Sequence, residues 1–228
     1  MNFCIVLPVF NSPYIYEVIK DVLSYGHKVI VVDDGSDEKI VVKNFDIDLV
    51  THPQNMGKGE AILSGAKRAK ALGFDCFVTM DTDKQHISSE IKKLTQAYEE
   101  ESIVIGNRDF ESEDVPDSSK FGRKFSNFWI MLETFKNLGD TQSGFRMYPV
   151  SIIDLPLKNR RFDFEVEVLV LHSYRGGHII DVEVDCYYPP HEERISHFNK
   201  WDDNVHITLL HIKFLIQKFV FLRGWLWR

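Results

Sequence analysis

Short apolar runs alternate with longer amphipathic segments along the first half of the chain. The apolar runs are rich in Val, Ile and Phe and predict strands at residues 3–9, 28–32, 47–51 and 74–80. The amphipathic segments predict helices at residues 11–25, 57–72 and 87–100, and Asn11, Ser12 and Pro13 are expected to begin the first. Alternating strands and helices are typical of an α/β fold with a mostly parallel, Rossmann-like central sheet and flanking helices.

The last apolar stretch of the chain, residues 203–223, is interrupted by charged and polar residues. It predicts an amphipathic helix, because a membrane-spanning helix needs about 18 uninterrupted apolar residues. Trp225 and Trp227 lie beside Arg223 and Arg228, which favours a helix at a membrane interface. The alternative is a helix packed on its own domain or on a second subunit of an oligomer.

Composition limits the size of the core and the classes of partner. The chain has 228 residues, of which 44% are hydrophobic, and this is enough for one sizeable core. We therefore expect one domain, with residues 1–200 as its body and residues 201–228 as its C-terminal helix. The formal net charge of −7 argues against a nucleic-acid partner, because phosphate backbones are bound by clusters of Lys and Arg.

The cysteines and the N-terminus bear on the location of the protein. Cys4, Cys76 and Cys186 lie in separate apolar segments without metal-ligand spacing, as expected of core thiols in a reducing compartment. The N-terminus lacks the basic region, apolar run and cleavage site of a secretory signal. We expect a cytoplasmic protein, peripheral at the cytosolic face of the membrane.

The apolar run 74–80 stops at two carboxylates, Asp81 and Asp83, which are followed by Gln85 and His86. Aspartate is a poor strand former, so a strand that ends in this way is expected to deliver the carboxylates into a cleft. Oxygen ligands favour Mg²⁺ or Mn²⁺, and the open positions of such an ion suit the oxygens of a diphosphate. The alternative is an acidic turn after a strand.

Three predicted strands end in polar, turn-forming residues, at 8–12, 33–36 and 81–86. The carboxyl ends of parallel strands are the edge where ligands bind in a doubly wound sheet. Asp33 and Asp34 would bind ribose hydroxyls or the edge of a base there, or would cap an Asx turn before a helix.

Several motifs, in order, resemble those of family 2 glycosyltransferases, and most of all the dolichyl-phosphate and polyprenyl-phosphate sugar transferases. The resemblance covers residues 1–188 and is carried by the segments 7–11, 31–37, 55–59, 80–86, 106–108, 122–127, 140–146 and 164–167. It implies a GT-A fold and an inverting transfer from a nucleotide diphospho-sugar, linked to uridine or guanosine diphosphate. The residues that it implies for the nucleoside are Pro8, Phe10, Asn11 and Asp34, and those for the metal and diphosphate are Asp81, Asp83 and Gln85.

Lys58 and Arg108 are further candidates for binding the nucleotide sugar. Lys58 lies in a glycine-flanked turn at a predicted helix start, where a phosphate contact is favoured, although a solvated lysine is the alternative. After Tyr188 the chain departs from the polyprenyl-phosphate relatives. Ser196 matches the family serine, but the lysine that follows it in the family is missing, and His191 and His197 lie in the same segment.

The chemistry of the acceptor remains open between two hypotheses. A lipid-linked phosphate is already anionic and needs arginines, for which the candidates are Arg108, Arg123, Arg146 and Arg194. A hydroxyl of a glycan or glycolipid needs a general base, with Asp140 as first choice and Glu165 or Glu167 as second. Two glutamates two positions apart on a helix cannot share a face, so at most one is expected in the cleft. Arg146 would alternatively be a structural partner of Asp140.

Two other classes of protein are kept as alternatives. A nucleotidyltransferase would place a basic, glycine-rich loop after the first strand, and residues 8–11 do not supply it. A non-catalytic scaffold at a membrane surface would have little use for Asp81, Asp83, Asp140 and Arg146 together.

Overall fold

The computed structural model describes residues 1–109, 117–188 and 202–226. The strands in this part of the chain are β1 Phe3–Val9, β2 Val29–Asp33, β3 Asp48–Thr51, β4 Cys76–Thr79, β5 Ile103–Arg108, β6 Arg146–Pro149 and β7 Ile179–Val184. The α-helices are α1 Ile15–Ser24, α2 Lys58–Ala71, α3 Ile91–Ala97, α4 Asp117–Thr134, α5 Phe164–Tyr174 and α6 Asp202–Leu226. Short 3-10 helices lie at Ser88–Glu90 and Val150–Asp154.

The strands form one sheet in the order β3-β2-β1-β4-β6-β5-β7. Strands β1 to β4 are parallel to their neighbours among themselves, and β5 is parallel to β7. β6 runs antiparallel to β4 and β5, between which it lies. The prediction of a mostly parallel sheet is therefore confirmed, and the carboxyl ends of β1, β2 and β4 meet at one edge.

Two apolar cores cover the two faces of the sheet, because successive strand residues point to opposite sides. Val6 and Ile30 face the core that is closed by α2, α5 and α6. Ile5 and Val31 face the core closed by α1 and α3. Cys4 and Cys76 are buried free thiols in these cores, as expected, while Cys186 is half-buried.

The first predicted helix begins later than expected. α1 starts at Ile15, after Tyr14, and Asn11 has a left-handed backbone with φ of 50°. The hydroxyl of Ser12 instead donates to the carbonyl of Thr82, at 2.5 Å. The expected cap at Asn11 and Ser12 is therefore wrong, because these residues tie the loop after β1 to its neighbours.

The C-terminal helix packs on its own domain with one face. Ile207, Leu210 and Phe214 are buried in the core shared with α5, and the buried imidazole of His211 lies 2.8 Å from the carboxylate of Glu133 in α4. None of the helices in the described segments is long and apolar enough to cross a bilayer.

Candidate active site

The loops at the carboxyl edge of the sheet surround a cleft of about 380 Å³. Its walls come from the loops after β1, β2 and β4, the start of α2 and the segment before α5. The residues that line it include Pro8, Phe10, Asp34, Lys58, Asp81, Asp83, Arg161 and Phe162. The predicted convergence of three strand ends at one cleft is what the structure shows.

Lys58 joins two carboxylates on the floor of this cleft. Its Nζ atom lies 2.8 Å from Asp81 Oδ1 and 2.8 Å from Glu165 Oε1. Burial alone lowers the pKa of Lys58, but the charges of Asp81 and Glu165 outweigh it and raise this pKa. Burial alone raises the pKa of Asp81, and the charge of Lys58 outweighs it and lowers this pKa to about 2. Lys58 is therefore a paired ammonium in the cleft, not a solvated lysine.

Asp83 carries a negative charge that its surroundings do not favour. Burial, followed by the charge of Asp81, raises the pKa of Asp83 to about 6. Its Oδ1 atom accepts a hydrogen bond from the backbone N–H of Gln85, at 3.0 Å. Two neighbouring carboxylates, one with a raised pKa, are a donor set that fits a divalent cation.

The described residues contain no group of three or more His, Cys, Asp or Glu side chains arranged to hold a metal ion. A cation bound by Asp81 and Asp83 would thus take its further ligands from water or from the phosphates of a substrate, as Mg²⁺ commonly does. Gln85 contributes backbone contacts to the loop, since its carbonyl also accepts from the N–H of Tyr187.

Gly144 makes room for the Asp81–Lys58 pair. A Cβ atom at this position would lie 2.6 Å from Asp81 Oδ2 and 2.7 Å from Lys58 Nζ. The carbonyl of Gly144 accepts from the hydroxyl of Thr79, which fixes the loop against the end of β4. Any side chain here would displace the charged groups of the cleft.

His86 orients the backbone of Asp81. The N–H of Asp81 donates to His86 Nδ1 at 3.0 Å, and the imidazole stacks on Phe145 with ring centroids 5.0 Å apart. Burial lowers the pKa of His86 to about 4, so the ring is neutral near pH 7 and its Nδ1 atom can accept.

Asp34 accepts hydrogen bonds from the loop that leads into α2. Its carboxylate binds the N–H groups of Met56 and Gly57 at 2.9 and 2.8 Å, and His52 Nδ1 at 2.7 Å. Gly57 has φ of 99°, and a Cβ there would lie 2.4 Å from the carbonyl oxygen of Arg160. Asp34 therefore lies in the wall of the cleft and holds the backbone of the loop that directly precedes α2.

Asp33 and Asn11 stabilise turns at the rim. Asp33 Oδ1 accepts from the N–H of Ser36, and the amide of Asn11 both donates to and accepts from Asp37, each at 2.9 Å. The turn interpretation of Asp33 thus agrees with the structure. The expectation of a helix after this turn is wrong, because residues 34–47 form a loop without an α-helix.

Asp140 pairs with Arg108. Arg108 donates through Nε and Nη2 to the two carboxylate oxygens, at 2.7 and 3.2 Å, and Asp140 has no exposed surface. Arg123, on α4, supports this pair by donating to the carbonyls of Gly139 and Arg108 at 2.5 and 3.0 Å.

Arg146 is fully buried and holds the loop before β6. Its guanidinium donates to the carbonyls of Thr141, Ser143 and Glu165, at 2.8, 2.6 and 2.9 Å. The alternative of a structural role agrees with these contacts. The expected partner Asp140 is wrong, because Arg108 occupies its carboxylate.

The two glutamates of α5 point to different places, as their spacing predicted. Glu165 pairs with Lys58, which lines the cleft, whereas Glu167 Oε2 accepts from the N–H groups of Lys158 and Asn159 at 2.9 and 2.8 Å. The candidates Arg194, Ser196, His191 and His197 lie outside the described residues.

Arg161 and Phe162 line the cleft and were not predicted from the sequence. The aromatic ring of Phe162 lies under Lys58, with the Nζ atom 5.9 Å from its centroid. Arg160, Arg161 and Phe162 lie a few positions before the Phe164–Glu167 segment. Their closeness to that motif in the sequence is the signal that could have placed Arg161 and Phe162 in the wall of the cleft.

Comparisons with known proteins agree on one family. The model described as "Glycosyl transferase family 2" matches residues 4–155. The chain is 27% identical over 213 residues to the UDP-N-acetylglucosamine--dolichyl-phosphate N-acetylglucosaminyltransferase of Methanococcus voltae, with 81% of this chain and 85% of that protein covered. It is 28% identical over 180 residues to a dolichyl-phosphate beta-glucosyltransferase of Trichomonas vaginalis, with 71% and 55% covered.

A solved structure shows the same fold. Glucosyl-3-phosphoglycerate synthase from Mycobacterium tuberculosis, crystallised with Mn²⁺, uridine diphosphate and glucosyl-3-phosphoglycerate, superposes with a TM-score of 0.69 at 17% identity. The match covers 95% of this chain and 79% of that one. The predicted GT-A fold is confirmed.

Proposed function

The chain belongs to glycosyltransferase family 2, and on this premise we propose that it transfers a sugar, with inversion, from a nucleotide diphospho-sugar to a lipid-linked phosphate. The observation that supports the proposal most is the cleft in which Asp83 accompanies the Asp81–Lys58–Glu165 ion pairs. These charges suit a diphosphate together with a divalent cation, because the carboxylates attract the cation and Lys58 remains as a positive group.

Asp81 and Asp83 would hold Mg²⁺ or Mn²⁺, with Gln85 as a further candidate ligand. When bound, the cation would neutralise the charge that grows on the departing nucleoside diphosphate. The fold relative crystallised with Mn²⁺ and uridine diphosphate supports this proposal. Lys58 would bind an oxygen of the diphosphate from the start of α2, where backbone N–H groups also favour an anion.

The nucleoside would lie between the loops after β1 and β2. Pro8 and Phe10 supply an apolar wall there, and Asp34, although engaged by Met56, Gly57 and His52, still lines the cleft. Arg161 adds a second cationic side chain to the same wall. Uridine and guanosine diphosphate remain the two candidate carriers.

A phosphate acceptor fits the state of the candidate bases better than a hydroxyl does. Both oxygens of Asp140 are engaged by Arg108, and Glu165 is paired with Lys58. A carboxylate held by a cation is a weak general base, whereas a phosphate monoester is already anionic near pH 7 and needs none. The two dolichyl-phosphate relatives named above support the same class of acceptor.

Calorimetric titration tests the donor half of the proposal. Uridine- and guanosine-linked sugars are titrated into the protein with Mn²⁺ and again with a chelator, and one donor is expected to bind only with the metal. Asp83→Ala should remove that binding, while Asp46→Ala, at an exposed surface ion pair, should leave it unchanged. Equal binding by wild type and Asp83→Ala would refute the metal role.

The acceptor half needs a separate assay. Transfer is measured with a short-chain polyprenyl phosphate and with the corresponding polyprenol, each in detergent. Only the phosphate is expected to accept sugar. Transfer to the polyprenol would favour the hydroxyl hypothesis, with Asp140 or Glu165 as the base.

A further inference from the structure

α6 carries apolar residues on two opposite faces. Its inner face is buried, as described for Ile207, Leu210 and Phe214. Its outer face repeats at helical spacing, with exposures from 43% to 58%, at Val205, Leu209, Ile212 and Ile216. A helix that packs in a single contact needs only one apolar face, so a second, exposed apolar face indicates a contact with something else that is apolar.

α4 carries a second exposed apolar stripe. It consists of Phe125, Phe128, Met131 and Leu132, and it continues into Phe135, which directly follows the helix and is 82% exposed. Lys218 of α6 donates to the carbonyls of Leu132 and Glu133 and lies 3.3 Å from the centroid of the Phe135 ring. The C-terminal part of α6 therefore packs against the end of the α4 stripe, at Leu132 and Phe135. Exposed apolar surface of this extent marks an interaction site.

The charge around these stripes is opposite in sign to that of the whole chain. The sequence of α4 and α6 with the two residues after α4, residues 117–136 and 202–226, contains seven Lys and Arg and four Asp and Glu, of which Glu133 is buried against His211. The complete chain has a net charge of −7. A basic, apolar surface on an acidic protein suits a bilayer with anionic headgroups. Two copies of the same basic surface would instead repel each other.

α4 also connects this surface to the loop that holds Asp140. On its inner side, Asn127 donates to the carbonyl of Gly139 at 2.7 Å and accepts from the N–H of Thr141 at 3.0 Å, while Arg123 binds the same carbonyl. The loop with Asp140 is thus separated from the apolar surface by one helix, about 10 Å across.

We propose that the outer faces of α4 and α6 form a docking surface for an anionic lipid bilayer. The apolar stripes enter the headgroup region, and Lys124, Lys136 and Lys213 meet the anionic headgroups around them. The purpose of docking rests on the proposed function, because a lipid-linked phosphate would then reach the cleft from the membrane on which α4 lies. The docking itself depends only on the surface.

Vesicle co-sedimentation tests this surface. The full chain is mixed with vesicles of phosphatidylcholine, with and without phosphatidylglycerol, and is expected to bind the anionic vesicles more strongly. The triple variant Leu209→Glu, Ile212→Glu, Ile216→Glu should lower that binding by about tenfold or more, since it places three charges on the buried side of the contact. The matched control is Tyr25→Glu, Val41→Glu, Leu72→Glu, which changes exposed apolar residues elsewhere and should bind as wild type does.

Folding and oligomeric state are measured on the same samples. Thermal melts show whether the triple variant is folded, and Phe128→Ser with Phe135→Ser repeats the test from α4. Binding that is equal in wild type and both variants would overturn the proposal. So would a wild-type dimer that does not bind vesicles and that the triple variant converts to a monomer, because the surface would then serve a second copy.

The proposal and the enzymatic function can fail separately. Calorimetric donor binding by the triple variant should match wild type, because none of its changes lies in the cleft. If wild type binds anionic vesicles but no nucleotide sugar, the docking surface stands and the proposed function fails. If wild type binds a nucleotide sugar but neither kind of vesicle, the docking surface fails and the donor half of the proposed function stands.

Discussion

At the scale of single residues, Asp83 illustrates how a binding site costs stability. Its pKa of about 6 lies above the ordinary value of 3.8, so the folded protein holds this proton more tightly than the unfolded chain does. The corresponding stability is present below the unfolded pKa and is lost as the pH rises through about 6. Above that pH the metal-free fold therefore contains an unfavourable charge.

Replacing this carboxylate should stabilise the metal-free protein. Asp83→Asn is expected to raise the free energy of unfolding by on the order of 1–2 kcal/mol at pH 8, and by little near pH 4. Urea unfolding with a chelator at several pH values measures the difference. Asp46→Asn, at an exposed site, should give no such gain, and a pH-independent difference for Asp83→Asn would contradict the assignment.

Two arginine–aspartate pairs of similar geometry differ in burial, which allows a matched comparison. Arg108–Asp140 is buried, whereas Arg68–Asp48 lies at the surface, with donor distances of 2.8 and 2.5 Å. Asp140→Asn should lower the free energy of unfolding by about 3 kcal/mol, because it removes the fully buried carboxylate that binds the Arg108 guanidinium through both oxygens. Asp48→Asn should cost about 1 kcal/mol or less.

Chemical denaturation of both variants decides this prediction. Equal small losses would mean that water reaches Arg108 in the variant.

The residues that sequence could predict are those whose position follows from a strand end. Asp81 and Asp83 were predicted because a β-branched and apolar run stops at them. The contact of Lys58 with Asp81 and Glu165 was not predictable, because it joins α2, the loop after β4 and α5, which are far apart in the chain. The pairing of Asp140 with Arg108 was missed for the same reason.

At the scale of elements, the close packing of α2 on β1 depends on a glycine. A Cβ atom on Gly65 would lie 2.4 Å from Val6 Cγ1, whereas one on Gly122, within α4, would meet only Gln142 at 3.6 Å. The helix can therefore approach the strand only without a side chain at position 65.

The two glycines predict opposite effects of one substitution. Gly65→Ala should destabilise the protein by about 1–3 kcal/mol through overpacking. Gly122→Ala should be neutral or stabilise by up to about 1 kcal/mol, because alanine is the better helix former. Thermal and urea unfolding compare them, and stabilisation by Gly65→Ala would show that the helix shifts freely.

The elements predicted well are those with a long periodic pattern. The helix expected at 57–72 is observed as Lys58–Ala71. The helix expected at 87–100 is shorter, because it begins as the 3-10 helix Ser88–Glu90 and ends where Tyr98 adopts an extended backbone. β6 was not predicted, since four residues carry too little periodicity and their place between β4 and β5 depends on the whole sheet.

At the scale of the whole molecule, the cleft and the proposed docking surface lie on different layers. The cleft opens at the carboxyl edge of the sheet, and the apolar stripes lie on helices that cover one face. Composition predicted one domain with an acidic balance. The basic surface could not be predicted in the same way, because it forms only where α4 and α6, which are far apart in the chain, pack together.

The ion pairs of Lys58 also set an order of events. Because an ammonium already lies against Asp81 Oδ1, a divalent cation that arrives alone must share or displace it, whereas a diphosphate offers Lys58 new partners. Cation and nucleotide should therefore bind cooperatively, with Mn²⁺ alone binding more weakly than Mn²⁺ in the presence of uridine or guanosine diphosphate. In Lys58→Met this cooperativity should shrink, because no ammonium then competes with the cation for Asp81. A single lysine would thus determine the order in which the enzyme binds its ligands.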